Sequence, residues 1–507
     1  MKKKLQQVLD SNFAIYLVIA LCTLFVSRWL FTEYNFFVFD DWHNLVNLPK
    51  HDYIDFLTIL PTSSYCSRPV GQVIAKILLD LFGYQYLYHL GFMILIHILN
   101  ACLVYTILQK LFQNKSVSII SALIFAMYPV SNMPSYWESA LFDLFGTTLI
   151  LLSGLFYFKL RDLKKNHKKW QPILYTTAMI LLYYISLRSK EMFICFPVLI
   201  FFLHACDYVK RIRNDKKKFD WKKFAKTCTP YFIMIGVMLF YAFCIFKLNG
   251  SNEATTTESK AYYYSFNIVE IIKNYFNYLF YYFNPHSLVY GDVPSIIHFS
   301  LLYKCFILLL IMIVLGMTIY QLIHNQYHYF LAIVAYSLFI APVLPMPNLH
   351  AIWYLYLPAI PLAFICATFI YQFLKIFIYK NKMVLASILF TAALLVFINR
   401  LDCIRNFHNW WMDFAYKEYY TFYYFDDIED DYENIENVFV INVPDDYTTF
   451  FIEDGGIVNV AYDDYKLNVD VIHDGEYTCQ DNTLVVDFNE YEFDILQAGG
   501  SCNEQTN

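Results

Sequence analysis

Charged residues are scarce in this chain. Asp, Glu, Lys and Arg together make up 16% of it, where a soluble globular chain carries about 25%. That shortage, with 58% hydrophobic residues and a positive mean hydropathy, excludes an ordinary soluble domain. The apolar runs also lack alternation with polar residues. This excludes barrel strands and leaves helices, which satisfy their own backbone groups in lipid. The twelve cysteines form no Cys-x-x-Cys pair and no Cys/His spacing suited to zinc. Most sit inside apolar runs, as Cys22, Cys102, Cys195 and Cys244 do, and read as small core residues. Cys403, Cys479 and Cys502 lie near the C-terminal end and leave a disulfide open there. No small-residue cleavage site follows the apolar stretch after Lys2, Lys3 and Lys4, so that stretch reads as a first span rather than a removable signal. No repeat of fixed period is evident.

What is present is a series of apolar runs about 20 residues long, the length that crosses a hydrocarbon core. Eleven spans are expected, near 13–31, 86–110, 117–134, 139–159, 172–187, 192–208, 228–247, 299–323, 329–345, 354–377 and 383–399. The fold class is therefore an all-α polytopic membrane body, residues 1–400, followed by a small β or α+β domain, residues 401–507. The connections expected on the inner side hold Arg161, Lys164, Lys165, Lys168 and Lys169, and a second basic run from Lys210 to Lys223. The outer ones are poor in Lys and Arg. This bias fixes the N-terminus in the cytoplasm, and an odd span count puts the C-terminus outside a cell membrane. Charge agrees: residues 401–507 hold 25 acids and three bases, whereas residues 1–400 hold 18 acids and 34 bases. An acidic domain is disfavoured beside an anionic inner leaflet.

Two expected outer loops are long, 32–85 and 248–298. The second contains a Tyr- and Phe-rich segment, 263–283, that reads as a helix lying along the interface. In the C-terminal region, strands are expected at 436–443, 448–452, 456–461, 466–472 and 483–488. Pro444, Asp454-Gly455 and Asp474-Gly475 supply turns.

Polar residues capable of chemistry gather on the outer face. Asp40 and Asp41 follow the first span in FVFDDWHNL. Paired carboxylates suit general-base work, although a solvated pair capping a helix fits the spacing equally well. Arg68 closes the same loop, and its guanidinium fork matches phosphate oxygens. Glu138 and Asp143 stand at the outer end of the next helix pair, and Asp143 lies within an apolar run, where an acid is a functional candidate. Arg188, Lys190 and Glu191 break the positive-inside trend; a lipid phosphate or an internal ion pair would compensate them. His350, Trp353, Tyr354 and Tyr356 sit between prolines in PMPNLHAIWYLYLP. They could stack on a sugar, or form the aromatic belt ordinary at a membrane interface.

The segments FDDW, SRPV, LFGYQYLYHLGFMILIHILNACLVY, YPVSNMPSYWESALFDLFGTTLILLS, LRSKEMFICFP and PNLHAIWYLYLP resemble, in order, motifs of the GT-C polytopic glycosyltransferases. The likeness is greatest to the transmembrane-and-TPR O-mannosyltransferase family and its bacterial relatives. It covers roughly residues 13–400. Three charged positions of that pattern are absent: the Arg before Asp143, and the Glu-Arg pair where Ile352-Trp353 stands. No TPR repeats follow. The resemblance implies a polyprenyl-phosphate sugar donor, an extracytoplasmic acceptor and surrounding membrane lipid as partners, with no nucleic acid. It further implies Asp40 and Asp41 as catalytic residues. Arg68, Glu138, Asp143, Arg188, Lys190, Glu191, His350, Tyr354 and Tyr356 would bind substrate. The pair Asp40 and Asp41 is compatible with a divalent ion, Mg or Mn. A ligase or polymerase of lipid-linked glycans shares this topology. A transporter is disfavoured, because its ionisable groups gather at the bilayer midplane.

Overall fold

The computed structural model describes residues 12–57, 68–163, 167–216, 218–248, 263–283, 300–324, 326–348, 350–379, 383–429, 431–432, 435–443, 455–464, 466–472, 482–489 and 492–498. Its main helices are α1 (Asn12–Ser27), α2 (Asp41–Asn47), α3 (Pro69–Phe82), α4 (Tyr86–Phe112), α5 (Lys115–Met127), α6 (Leu141–Arg161), α7 (Trp170–Leu187) and α8 (Phe196–Asn214). They continue as α9 (Trp221–Leu248), α10 (Ile268–Phe283), α11 (Leu301–Ile323), α12 (His328–Ile340), α13 (Ala359–Tyr379), α14 (Met383–Glu429) and α15 (Gly456–Ala461).

Among the described residues, six helical stretches are long and apolar enough to cross a membrane: Asn12–Leu30, Tyr86–Phe112, Glu138–Arg161, Glu191–Asn214, Trp221–Ile245 and Tyr303–Ile323. The protein is a multi-pass membrane protein. These six coincide with six of the expected spans. The expected span 117–134 is a pair of helices, Lys115–Met127 and Pro129–Tyr136, bent by 65°. Pro129 has no backbone N–H to continue the ladder, and its ring pushes Tyr128 into the extended region, φ −75° and ψ 138°. The bend turns the chain toward Ser27 and Asp41, which Asn132 and Ser139 meet. The expected spans 329–345 and 354–377 fall on shorter apolar helices, His328–Val343 and Ala359–Gln372.

The helix α14 runs unbroken through residue 400 for 47 residues, about 70 Å at 1.5 Å per residue. Its later turns leave the bundle and pack on the loop that follows α1. Phe36 and Trp42 meet Phe422, and Phe39 meets Trp410, Trp411 and Phe414. Beyond α14 lies a four-stranded sheet of order β2-β1-β3-β4: β1 (Asn437–Ile441), β2 (Asn468–Ile472), β3 (Thr483–Asn489) and β4 (Glu492–Ala498). The strand β1 is parallel to β2 and β3, and β4 is antiparallel to β3.

The expected strand 456–461 is instead the helix α15. Gly455 sits at φ 83° as its N-cap, and the whole helix is buried. An all-buried apolar run carries no period to tell strand from helix. The crossover between the parallel strands β1 and β2 needs a helix of this kind. The expected strand 448–452, and Cys479 and Cys502, lie outside the described residues. The strand β4 was not expected, since its EFDILQA run is half polar.

Candidate active site

The loop after α1 returns to the bundle through a strained turn. Phe39 has φ 54°, a left-handed conformation that costs a bulky L-residue about 1–2 kcal/mol. Its ring, held against Trp411 and Phe414 of α14, offsets that strain. Asp40 follows as the N-cap of α2, yet its side chain caps nothing. The carboxylate is exposed, while protein on several sides still removes enough water to raise it above the usual carboxylate range. His43 and Lys190 pull it back.

Asp41 differs entirely. It is 1% exposed and held by three donors. Val38 N–H donates to one oxygen at 3.1 Å, and the Ser139 N–H and hydroxyl both donate to the other at 2.7 Å. Burial, then the neighbouring Glu138, pushes its carboxyl well above the normal range, and these hydrogen bonds oppose the shift. Asp41 therefore ties the first loop to residues 138–140. Glu138 is buried behind it, 3.1 Å from His89 Nδ1, while His89 Nε2 lies 3.0 Å from the Gly83 carbonyl. With the Nε2 proton donated to that carbonyl, the Nδ1–Glu138 contact requires one further proton shared between the two side chains.

The second group is cationic. Lys190 pairs with Asp143, and its ammonium stands 5.3 Å from the centre of the Tyr354 ring. Arg68 forks onto Glu191, with its Nε 3.0 Å from one oxygen and its terminal nitrogen on the other. Exposure separates the two pairs. Lys190 and Asp143 are 7% and 5% exposed, whereas Arg68 and Glu191 are 38% and 40% exposed. An incoming anion can reach the second pair and not the first. Arg188 is buried beside them, and its carbonyl accepts from Val70 N–H.

Ser139, which holds Asp41, and Asp143, which pairs with Lys190, stand four residues apart at the entry to α6, so the carboxylate loop and the ion pairs are neighbours, and Lys190 acts on Asp40. Two expected ligands are engaged by other residues. Tyr356 is buried, with its hydroxyl 2.8 Å from His97 Nδ1 and accepting from Asn100 at 3.1 Å. Asn100 in turn bonds the Leu144 carbonyl and Thr148. This network locks α4 to α6. His350 bonds Asn274 of α10 at 3.0 Å, and burial pushes it down to about 4. Residues 268–283 thus form a helix, whose polar face is bonded to residues 344–350.

A divalent ion at Asp40 and Asp41 would compete with the three donors already on Asp41. Among the described residues, no group of three His, Cys, Asp or Glu gathers to hold a metal. Sequence reasoning missed His89, Ser139 and Glu418, which accepts from the Trp42 indole at 2.8 Å. For His89 a signal existed: an ionisable residue within an apolar span marks function or structure by default. Below the charged groups an apolar cavity of about 100 Å³ opens among α4, α6, α8, α12 and α13, lined by Ile107, Phe158, Leu199, Ala335 and Phe364 among others. Ile150 on its wall lies seven residues along α6 from Asp143, about 10 Å deeper.

The family model described as a domain of unknown function, DUF6311, matches residues 30–287, which include every charged member of the site. No curated protein matches the sequence. Solved structures similar to the chain include the Archaeoglobus fulgidus oligosaccharyltransferase in the apo form, at 12% identity and TM-score 0.49 over 92% of this chain and 64% of that one. They include the archaeal oligosaccharyltransferase AglB from the same organism in complex with an inhibitory peptide and a dolichol-phosphate, at 12% identity and TM-score 0.49 over 90% and 64%. ArnT from Cupriavidus metallidurans bound to undecaprenyl phosphate is similar at 9% identity and TM-score 0.45 over 91% and 88%. The chain spans 64% of the length of the two oligosaccharyltransferase chains.

Proposed function

This chain belongs to the DUF6311 family, and for it we propose an inverting membrane glycosyltransferase that moves a sugar from a polyprenyl-phosphate donor to an extracytoplasmic hydroxyl acceptor. The observation that carries the reading is Asp40. It is an exposed carboxylate at a helix N-cap that caps nothing, aimed by a strained turn and raised by burial. A carboxylate whose proton affinity is lifted is the better base at neutral pH.

In the step proposed, the acceptor oxygen attacks the anomeric carbon as its proton passes to Asp40. The bond from that carbon to the phosphate oxygen breaks on the opposite face, and the lipid phosphate leaves with the electron pair. Arg68, half-exposed, meets the phosphate by exchanging Glu191 for it, since a guanidinium fork fits either oxyanion. Lys190, Arg188 and Asp143 remain buried and set the local potential. Asp41 and Ser139 hold the loop in register, and Glu138 and His89 support them from behind. The apolar cavity matches an isoprenoid chain, the class of ligand an all-apolar space in lipid accepts. Eleven crossings, with the N-terminus inside and the sheet domain outside, complete the reading; they would put the later turns of α14 and the acidic region 401–507 on the same side as Asp40.

The test is transfer from radiolabelled polyprenyl-phosphate sugars in membranes. Asp40→Asn should lose transfer by a factor of 100 or more, a typical contribution from a general base being about 10²–10⁴, with insertion and thermal unfolding unchanged. Retention of wild-type turnover in that variant would remove Asp40 from the chemistry.

A further inference from the structure

A set of aromatic side chains beside Asp40 has polar atoms that the protein leaves unused. The Trp137 and Trp353 rings meet at 4.3 Å and 63°, and Trp137 faces Trp411 at 6.4 Å. Trp411 also touches Phe39, the residue before Asp40. Trp137 precedes Glu138 and Ser139, and Trp353 precedes Tyr354, the ring beneath Lys190. The three indoles thus border both halves of the site. The indole nitrogens of Trp137 and Trp411 are buried and make no hydrogen bond. Nearby His408, packed edge-on to Tyr136, also leaves both ring nitrogens unbonded. Burial, with Arg28 adding to it, pushes His408 down to about 3, so it is neutral and offers one donor and one acceptor.

Burying such a group without a partner is costly, and folded proteins leave few of them. Several in one aromatic cluster call for a ligand with a polar rim. Flat aromatic faces alone would suit any apolar group. Indole N–H groups left without acceptors beside such faces suit a ligand whose faces are C–H and whose edge carries hydroxyl acceptors. A pyranose ring has that form.

We propose that Trp137, Trp353 and Trp411 form a seat for a hexopyranose ring beside Asp40, with the two unbonded indole N–H groups donating to its hydroxyls. The proposal rests on the transferase reading for its biological meaning, but its test does not depend on turnover. The protein would be labelled with 5-fluorotryptophan, purified in detergent, and its eight tryptophans assigned by single Trp→Phe variants. Fluorine resonances would be followed while adding methyl hexopyranosides, or a short-chain prenyl-phosphate hexose. The resonances of Trp137 and Trp411 should shift saturably, while exposed Trp221 stays still. Trp411→Phe should weaken the Trp137 response about tenfold, the loss of one hydrogen bond.

A response to methyl hexosides identifies an acceptor-sugar seat, and a response confined to the lipid-phosphate sugar identifies a donor-sugar seat; either supports the proposal. No shift with any probe overturns it. So does an equal shift with cyclohexanol or with prenyl phosphate lacking sugar. Saturable shifts in a protein that transfers no sugar would overturn the function and leave the seat standing. Transfer without shifts would do the reverse.

Discussion

Removing one member of the Lys190–Asp143 pair tests whether the site is as desolvated as its geometry indicates. Both side chains are almost fully buried, at 7% and 5% exposure. Lys190→Gln leaves the Asp143 carboxylate without its charge partner, and Asp143→Asn leaves the ammonium without its own. Breaking a buried pair from one side costs about 3–5 kcal/mol, so each single variant should lose stability on that scale. The double variant places two neutral amides in the same space, able to bond each other. It should be less destabilised than the sum of the singles by about 2 kcal/mol or more, a coupling in the range found for contacting residues. Unfolding by SDS titration in mixed micelles would give the four free energies. Arg68→Gln and Glu191→Gln form a control cycle, because that pair is half-exposed and solvent screening holds such pairs to about 0–1 kcal/mol. Singles at Lys190 and Asp143 below about 1 kcal/mol, or additive within about 0.5 kcal/mol, would refute the claim that this pair is shielded from water.

Three further outcomes follow from the same geometry. Burial raises the Asp40 carboxyl and His43 lowers it, so activity should fall with decreasing pH above the ordinary carboxylate range of about 4. His43→Gln should move that acidic limb upward in the profile of kcat/KM, and a downward shift would contradict the assignment. A Cβ on Gly146 would overlap the buried Phe193 ring. Gly146→Ala should therefore cost about 1–3 kcal/mol by overpacking and displace residues 190–193, and Phe193→Leu should restore part of the loss in the same unfolding assay. Trp42→Phe removes the 2.8 Å bond to buried Glu418, costing about 0.5–1.5 kcal/mol. Because that bond joins α2 to α14, faster proteolysis near residue 418 should accompany the loss.

The arrangement also gives the C-terminal region a physical role. The α14 rings that pack on Phe36, Phe39 and Trp42 hold the turn that presents Asp40. Phe39 alone would relax from φ 54° to a less costly conformation, and the carboxylate would swing with it.

The sequence by itself determined the membrane body, because crossing lipid requires continuous apolar runs, and these are visible one residue at a time. It also determined which polar residues were available, since ionisable groups at helix ends stand out against such a background. Tertiary structure decided what each one does. Adjacent carboxylates look alike in FDDW, yet Asp41 meets Val38 and Ser139 while Asp40 faces outward. The difference comes from Ser139, 98 residues away, and from the bend at Pro129 that delivers it. The ion pairs Lys190–Asp143 and Arg68–Glu191 join residues 47 and 123 apart, and no local pattern encodes such partners. Tyr356 and Tyr354 differ by two positions, but one closes a network inside the bundle and the other lies under Lys190. The helix α15 was unreadable for the opposite reason. It is buried on every side, so its sequence carries no period, and the parallel pairing of β1 with β2 decided its form.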